Sequence, residues 1–209
     1  SWPGHRPGQF TTVGVEVDGV RHHRCYSITS QPDRADGCIE LGVRVVPGGV
    51  VSTHLATAAR VGDVLHLAPP EGDFTLPAGS PGPLLLLSGG AGVTPIVAML
   101  RELADRPEVP DVVVVHHAPT ADRVMFAGEL ADIARSPGIE LDVVLTEEGG
   151  ALLDTAELDR RCPDWRERSA YVCGPPSMVD WATEHWSAAG VLDRLHLERF
   201  VAAAAPVTI

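Results

Sequence analysis

Four leucines in a row run directly into a glycine-rich turn and then a helix-like apolar stretch. This segment, Leu84 to Leu103 (LLLLSGGAGVTPIVAMLREL), limits the fold more than any other part of the chain. A run of strand length that is apolar at every position fits a strand buried on both faces of a parallel sheet. Gly89, Gly90 and Gly92 take away side chains that would hold a ligand off the backbone. Thr94-Pro95 then reads as a helix start, threonine as N-cap and proline at the first helical position, with the helix reaching about Asp105. Free N–H groups and the positive end of the helix dipole would meet in a glycine-lined hollow suited to a dinucleotide pyrophosphate. The spacing is neither GxGxxG nor a loop ending in GK[ST], and the same local pattern occurs without any bound phosphate, so other residues must decide.

On either side of this segment the rhythm of the chain differs. Residues 1–80 read as β structure: short runs at Phe10 to Val17, His22 to Thr29, Ile39 to Val46 and Asp63 to Ala68 are separated by turns at Asp18-Gly19, Gln31 to Gly37 and Pro47 to Gly49. A helix begun near Ser52, over Val51 to Arg60, interrupts them. Such strands predict a small antiparallel barrel or sandwich. Pro69 to Pro83 is the richest turn region and the expected boundary. From 81 to 200, strands at Leu84 to Ser88, Val112 to His116, Glu140 to Leu145 and Ala170 to Cys173 alternate with helices at Thr94 to Asp105, Phe126 to Arg135, Asp154 to Arg161 and Ser177 to Ala189. His196 to Glu198 is a last edge strand. This alternation predicts a doubly wound parallel sheet whose ligand lies at the carboxyl ends of its strands. The tail 201–209 reads as the start of a linker.

Composition removes several functions. A net charge of -12, with arginine the sole source of positive side chains apart from histidine, argues against a general nucleic-acid binder. No apolar run approaches the ~20 residues needed to span a bilayer, and the N-terminal residues carry no signal-like segment, so the chain reads as cytoplasmic. Cys25, Cys38, Cys162 and Cys173 lack CxxC spacing, which predicts free thiols rather than a zinc or iron–sulfur site. His22-His23 and His116-His117 are adjacent pairs, which point to opposite faces of a strand and chelate poorly. No metal is expected.

Three further stretches fall where this architecture would let them converge. In Arg24-Cys25-Tyr26-Ser27, alternation sets Arg24 and Tyr26 on one face and Cys25 and Ser27 on the other. Gly48 to Thr53 offers a glycine turn, N–H groups and hydroxyls at a helix start. Tyr171 to Pro175 (YVCGP) ends a strand with a thiol at the ligand rim. Together with the Gly89 to Thr94 loop and a terminal HLERF, in that order, these motifs resemble the ferredoxin-NADP reductase superfamily over nearly the whole chain. The resemblance is strongest to the reductases that serve oxygenases, desaturases and haem monooxygenases.

The resemblance implies a flavin-binding β barrel followed by an NAD(P)-binding α/β domain. It implies FAD, with FMN the lesser candidate, and NADH or NADPH as reductant. Arg24 would pair with flavin phosphate, Tyr26 lie against the isoalloxazine, and Ser27 sit near flavin N5, the hydride acceptor. Gly49, Val51 and Ser52 would hold the flavin pyrophosphate. Gly89, Gly90, Ala91, Gly92, Val93 and Thr94 would cradle the nicotinamide dinucleotide, with Cys173, Gly174 and Pro175 beside the nicotinamide. Glu198 and Phe200 match the family's carboxylate and aromatic near the other flavin face, so Phe200→Ala would alter nucleotide preference as well as rate. Ser27, Cys173 and Glu198 are the expected catalytic residues.

The implied activity is hydride transfer from nicotinamide to flavin, then single electrons to a [2Fe-2S] ferredoxin domain or protein, often fused C-terminally in the family, and on to an oxygenase, desaturase or haem monooxygenase. An electron-transfer subunit without its own turnover and a free-flavin reductase stand as alternatives. The family's barrel has six strands, more than residues 1–80 accommodate, and the missing part would lie N-terminal to them. Where NADPH-preferring members place arginines, this chain has Ala118-Pro119 and Glu147-Glu148. Carboxylates repel a 2′-phosphate and accept from a ribose 2′-OH, so these loops tilt towards NADH, with Arg123 still within reach.

Overall fold

The computed structural model describes residues 2–32, 34–79, 81–150 and 153–200. It has an antiparallel sheet followed by a five-stranded parallel sheet with helices on both faces. The first sheet is built on one hairpin. Strands β1 (Phe10–Val17) and β2 (Val20–Ser27) pair from Phe10 opposite Ser27 to Val17 opposite Val20. Asp18 and Gly19 both take positive φ, 52° and 76°, the left-handed pair that a two-residue hairpin turn requires. Helix α1 (Val50–Thr57) covers this hairpin by packing Val51 against Val13 and Val15. Strand β3 (His66–Leu67) lies on the far side of β1, giving the order β2-β1-β3.

Two expected strands are corrected. Ile39 to Val46 forms no ladder among the described residues: Leu41 makes one isolated bridge to Ile28, and the rest is extended chain. At Gly42 the segment packs on the second unit, where an added Cβ would overlap the Thr94 methyl, while among the described residues its backbone pairs with the end of β2 only through Thr29 N–H to Glu40 O and Gly42 N–H to Ser27 O. Asp63 to Ala68 shrinks to the two residues of β3 because a turn closes just before it, Asp63 N–H donating to Arg60 O. Among the described residues the first unit is therefore a three-stranded antiparallel sheet, in keeping with a barrel short of strands.

The parallel sheet follows the predicted alternation, with strands β4 (Leu84–Gly89), β5 (Val112–Ala118), β6 (Ile139–Leu145), β7 (Ser169–Gly174) and β8 (Leu195–Arg199). Helices α2 (Val93–Ala104), α3 (Ala127–Ile133), α4 (Thr155–Arg161) and α5 (Pro176–Ala188) connect them. The order β6-β5-β4-β7-β8 places β4 at the centre. Its four leucines are fully buried, Leu84 and Leu86 among residues of α2 and α3, Leu85 and Leu87 among those of α4 and α5. At ~1.5–3 kcal/mol per buried leucine, this strand is a principal source of the core's stability. Residue 80, within the expected boundary Pro69 to Pro83, and the tail 201–209 fall outside the described residues. No helix among the described residues is long and apolar enough to cross a membrane.

Candidate functional site

The strand order reverses between β4 and β7, where the chain leaves β4 for one face of the sheet and β7 for the other. This leaves a crevice at the carboxyl ends of the two strands. Two glycine-containing turns line it. After β4, Gly90–Gly92 form a single 3₁₀ turn that runs straight into α2. Thr94 is therefore a residue of the helix and not its cap: Gly92 holds the cap position, and the Thr94 hydroxyl faces Ala91 O and Ser27 Oγ, each at 2.9 Å. After β7, Pro175 caps α5 in an extended conformation. The turns touch closely. A Cβ on Gly92 would overlap the Cys173 carbonyl, and one on Gly174 would come within 3.1 Å of Gly89 N. Part of the glycine requirement is thus packing of protein on protein, not only access for a ligand.

The first unit brings its own residues to this crevice. Ser27 ends β2 buried against Thr94. Tyr26 is half-buried against the cluster of Val13, Val15 and Val51, and burial raises its phenol pKa. Arg24 lies on the same face as Tyr26, two residues away, with its guanidinium donating to His23 O. At α1, the Ser52 hydroxyl is turned back on its own loop, accepting from Val46 N–H and donating to Gly49 O. The donors left on offer are main-chain: Thr53 is the first residue to bond back, to Gly49 O, and among the described residues the N–H groups of Val50, Val51 and Ser52 have no acceptor. Three converging N–H groups with no acidic residue in the first turn fit a phosphate. The Val51 expectation therefore rests on backbone, while the Gly49 N–H donates to Val46 O and the Ser52 hydroxyl serves the loop.

Cys173 lies opposite Ser88 on one side and Glu198 on the other. Its thiol is fully buried, and burial first, then the Glu198 charge, raises its pKa and keeps it protonated. Glu198 is half-buried with a carboxyl pKa raised by that burial, and its Oε2 approaches Gly72 of the first unit. Phe200 is 47 % exposed. Sequence reasoning passed over Arg44, set in the apolar run Val43 to Val46. Its Nη1 comes within 3.0 Å of the Cβ position of Gly90, so a cation from the first unit overhangs the glycine turn of the second. Glu148 accepts from Ala121 N–H and ties the loop after β6 to the loop after β5, while Glu147 and Arg123 stay exposed. No cluster of three or more metal-binding side chains gathers among the described residues.

Residues 4–76 match the family model of the oxidoreductase FAD-binding domain, and residues 86–184 that of the oxidoreductase NAD-binding domain. The chain belongs to the ferredoxin-NADP reductase superfamily. A relative within it, an NADPH oxidoreductase of Mycobacterium tuberculosis, is 43% identical over 94% of this chain and 52% of its own length. The glycine betaine monooxygenase reductase subunit of Chromohalobacter salexigens is 35% identical over 81% of this chain and 49% of its own. The chain thus spans about half the length of the curated relatives it matches. Among solved structures, the FAD/NAD-binding domain of a nitric oxide dioxygenase from Vibrio cholerae superposes with a TM-score of 0.83 at 27% identity, covering 96% of this chain and 87% of that one. The two-unit arrangement of this superfamily member is therefore the arrangement of a known FAD- and NAD-binding module.

Proposed function

We propose that this chain is the flavin- and nucleotide-binding part, in units 1–80 and 81–200, of an NAD(P)H-dependent oxidoreductase that passes electrons to an oxygenase-type partner. The observation that carries this reading is the convergence at the crevice: Ser27 of the first unit hydrogen-bonds Thr94 of the nucleotide loop, and that loop packs against Cys173. One site thereby draws on both units. FAD, when bound, supplies a hydride acceptor at N5 that can release the two electrons singly.

The chain's own residues bind and orient. Arg24 and the N–H groups of Val50, Val51 and Ser52 hold the flavin pyrophosphate, and the Tyr26 ring offers a flat apolar face to the isoalloxazine. Ser27 presents its hydroxyl to N5. The turn from Gly89 to Thr94 holds the nicotinamide dinucleotide, with Arg44 above it as counter-charge, and Cys173 to Pro175 close the nicotinamide side. A thiol kept protonated does not compete as a nucleophile, and the half-buried Glu198 can hold a proton close to the flavin edge. Phe200 covers the remaining flavin face. Glu147 beside Glu148 favours a ribose 2′-OH over a 2′-phosphate, so NADH is the preferred reductant. The partner is a [2Fe-2S] ferredoxin domain or protein, and the compartment is the cytoplasm. Relatives named as monooxygenase reductase subunits and components support the oxygenase end of the chain.

The test is a visible spectrum of the protein loaded with FAD, desalted, then mixed anaerobically with NADH or NADPH. Retained flavin absorbance that bleaches faster with NADH is expected. Loss of all flavin on desalting sinks the prosthetic-group reading, and faster bleaching with NADPH sinks the ribose assignment alone.

A further inference from the structure

The Thr94 hydroxyl has one proton and two oxygens at 2.9 Å, Ser27 Oγ and Ala91 O. It can donate to one at a time. Two arrangements follow. If Thr94 donates to the Ala91 carbonyl, Ser27 donates to Thr94 and turns a lone pair outwards. If Thr94 donates to Ser27, the Ser27 proton is free to point outwards. No heavy atom moves between the two, and protons stay on their own oxygens. Ser27 and Thr94 are 5% and 2% exposed, so bulk water does not compete for these bonds. The rotamer of Thr94 is also fixed, since its methyl fills the space that Gly42 leaves beside it.

Resting on the placement of Ser27 against flavin N5, we propose that Thr94 is a positioning residue that sets the direction of the Ser27 hydroxyl proton. One serine then serves as donor to N5 when that nitrogen carries no proton and as acceptor when it carries one. The Ala91 carbonyl, inside the nucleotide turn, is the alternate acceptor that makes the reversal possible. Without Thr94 the serine can still donate. It can accept only by leaving its own proton buried and unpaired, which is the costly condition.

The experiment compares wild type, Thr94→Val and Thr94→Ser, each loaded with FAD, by the midpoint potential of the bound flavin in an anaerobic dye-equilibrium titration. Thr94→Val should weaken binding of reduced FAD about tenfold relative to oxidised FAD, lowering the midpoint by about 30 mV for the two-electron couple. Thr94→Ser should keep the wild-type potential. In a Ser27→Ala background the valine substitution should no longer shift it. General loosening of the fold would weaken both redox forms alike and leave the potential in place. A valine variant at the wild-type potential, or a serine variant shifted as far as valine, overturns the relay while leaving the flavin reading intact. A wild-type protein that holds no FAD overturns both.

Discussion

An added methyl at Gly92 would overlap the Cys173 carbonyl, and backbone cannot step aside as a flexible side-chain tip can. Gly92→Ala should therefore destabilise the protein by about 1–3 kcal/mol in urea unfolding and weaken nucleotide binding together with it. A variant of wild-type stability would show that the turn yields. His116 makes a different demand. It is fully buried, with Nδ1 at 2.9 Å from Ser88 Oγ and, among the described residues, no partner for Nε2. Burial, followed by the neighbouring His117, lowers its pKa to about 4. The unfolded chain takes up this proton near pH 6.5 and the folded one not until about 4. Stability from this group is thus full above pH 6.5, falls as pH drops through that window, and levels off below it. The loss amounts to up to about 3 kcal/mol. His116→Gln should show a shallower fall of the urea midpoint between pH 6.5 and 4, and an unchanged slope would refute the assignment. The glycine turn was legible in the sequence because an unbroken apolar strand runs into it, and Ser27 was singled out only through the family resemblance. Arg44 and the Ser27–Thr94 contact were not legible, since both depend on how one unit lies against the other.

Secondary elements are held at the end of the sheet opposite the crevice by one arginine. Arg168 is 5% exposed, and its guanidinium donates to both Asp111 carboxylate oxygens, to Asp164 Oδ1 and to Leu84 O, joining the starts of β4, β5 and β7. Arg168→Ala leaves Asp111 and Asp164 at or near the surface, where water screens and solvates them, so the loss falls mainly on the strand ends, at about 1–2 kcal/mol. Hydrogen exchange should reveal it as faster opening at Leu84 and Val112, and protection equal to wild type would count against the clamp. Strands buried on two faces announce themselves as unbroken apolar runs, which is why β4 and β5 were located within two residues. Where, among the described residues, the chain makes only one isolated bridge, as in Ile39 to Val46, the residue pattern still resembles a strand. The close packing of Gly42 on Thr94 joins residues 52 positions apart, which no local pattern can announce. The start of α2 was misjudged for a related reason: Thr94-Pro95 carries the signature of a cap, yet the preceding glycines already turn as a 3₁₀ helix.

Taken whole, the molecule is sutured across its two units. Phe74 and Leu76 lie inside the expected boundary stretch, Pro69 to Pro83, yet they pack in the core with Leu84, Leu86 and Ile96. Arg101 of α2 reaches back to the first unit, donating to Thr29 O at 2.6 Å and pairing with Glu40, and Gln31 donates in the other direction to Arg101 O. A shared core of this kind predicts one cooperative unfolding transition, with tryptophan fluorescence and far-ultraviolet circular dichroism tracing the same curve in urea. Two separated transitions would mean that the units stand independently. The central place of β4 has one more consequence, for the chain as it is made. Its second neighbour, β7, begins some 80 residues after β4 ends, and at about 5–20 residues per second the ribosome needs roughly 4–16 s to supply it. Through that interval the nascent chain carries its leucine strand with one flank unpaired. Translation that stalls before Ser169 would release the form most exposed to chaperones and proteases.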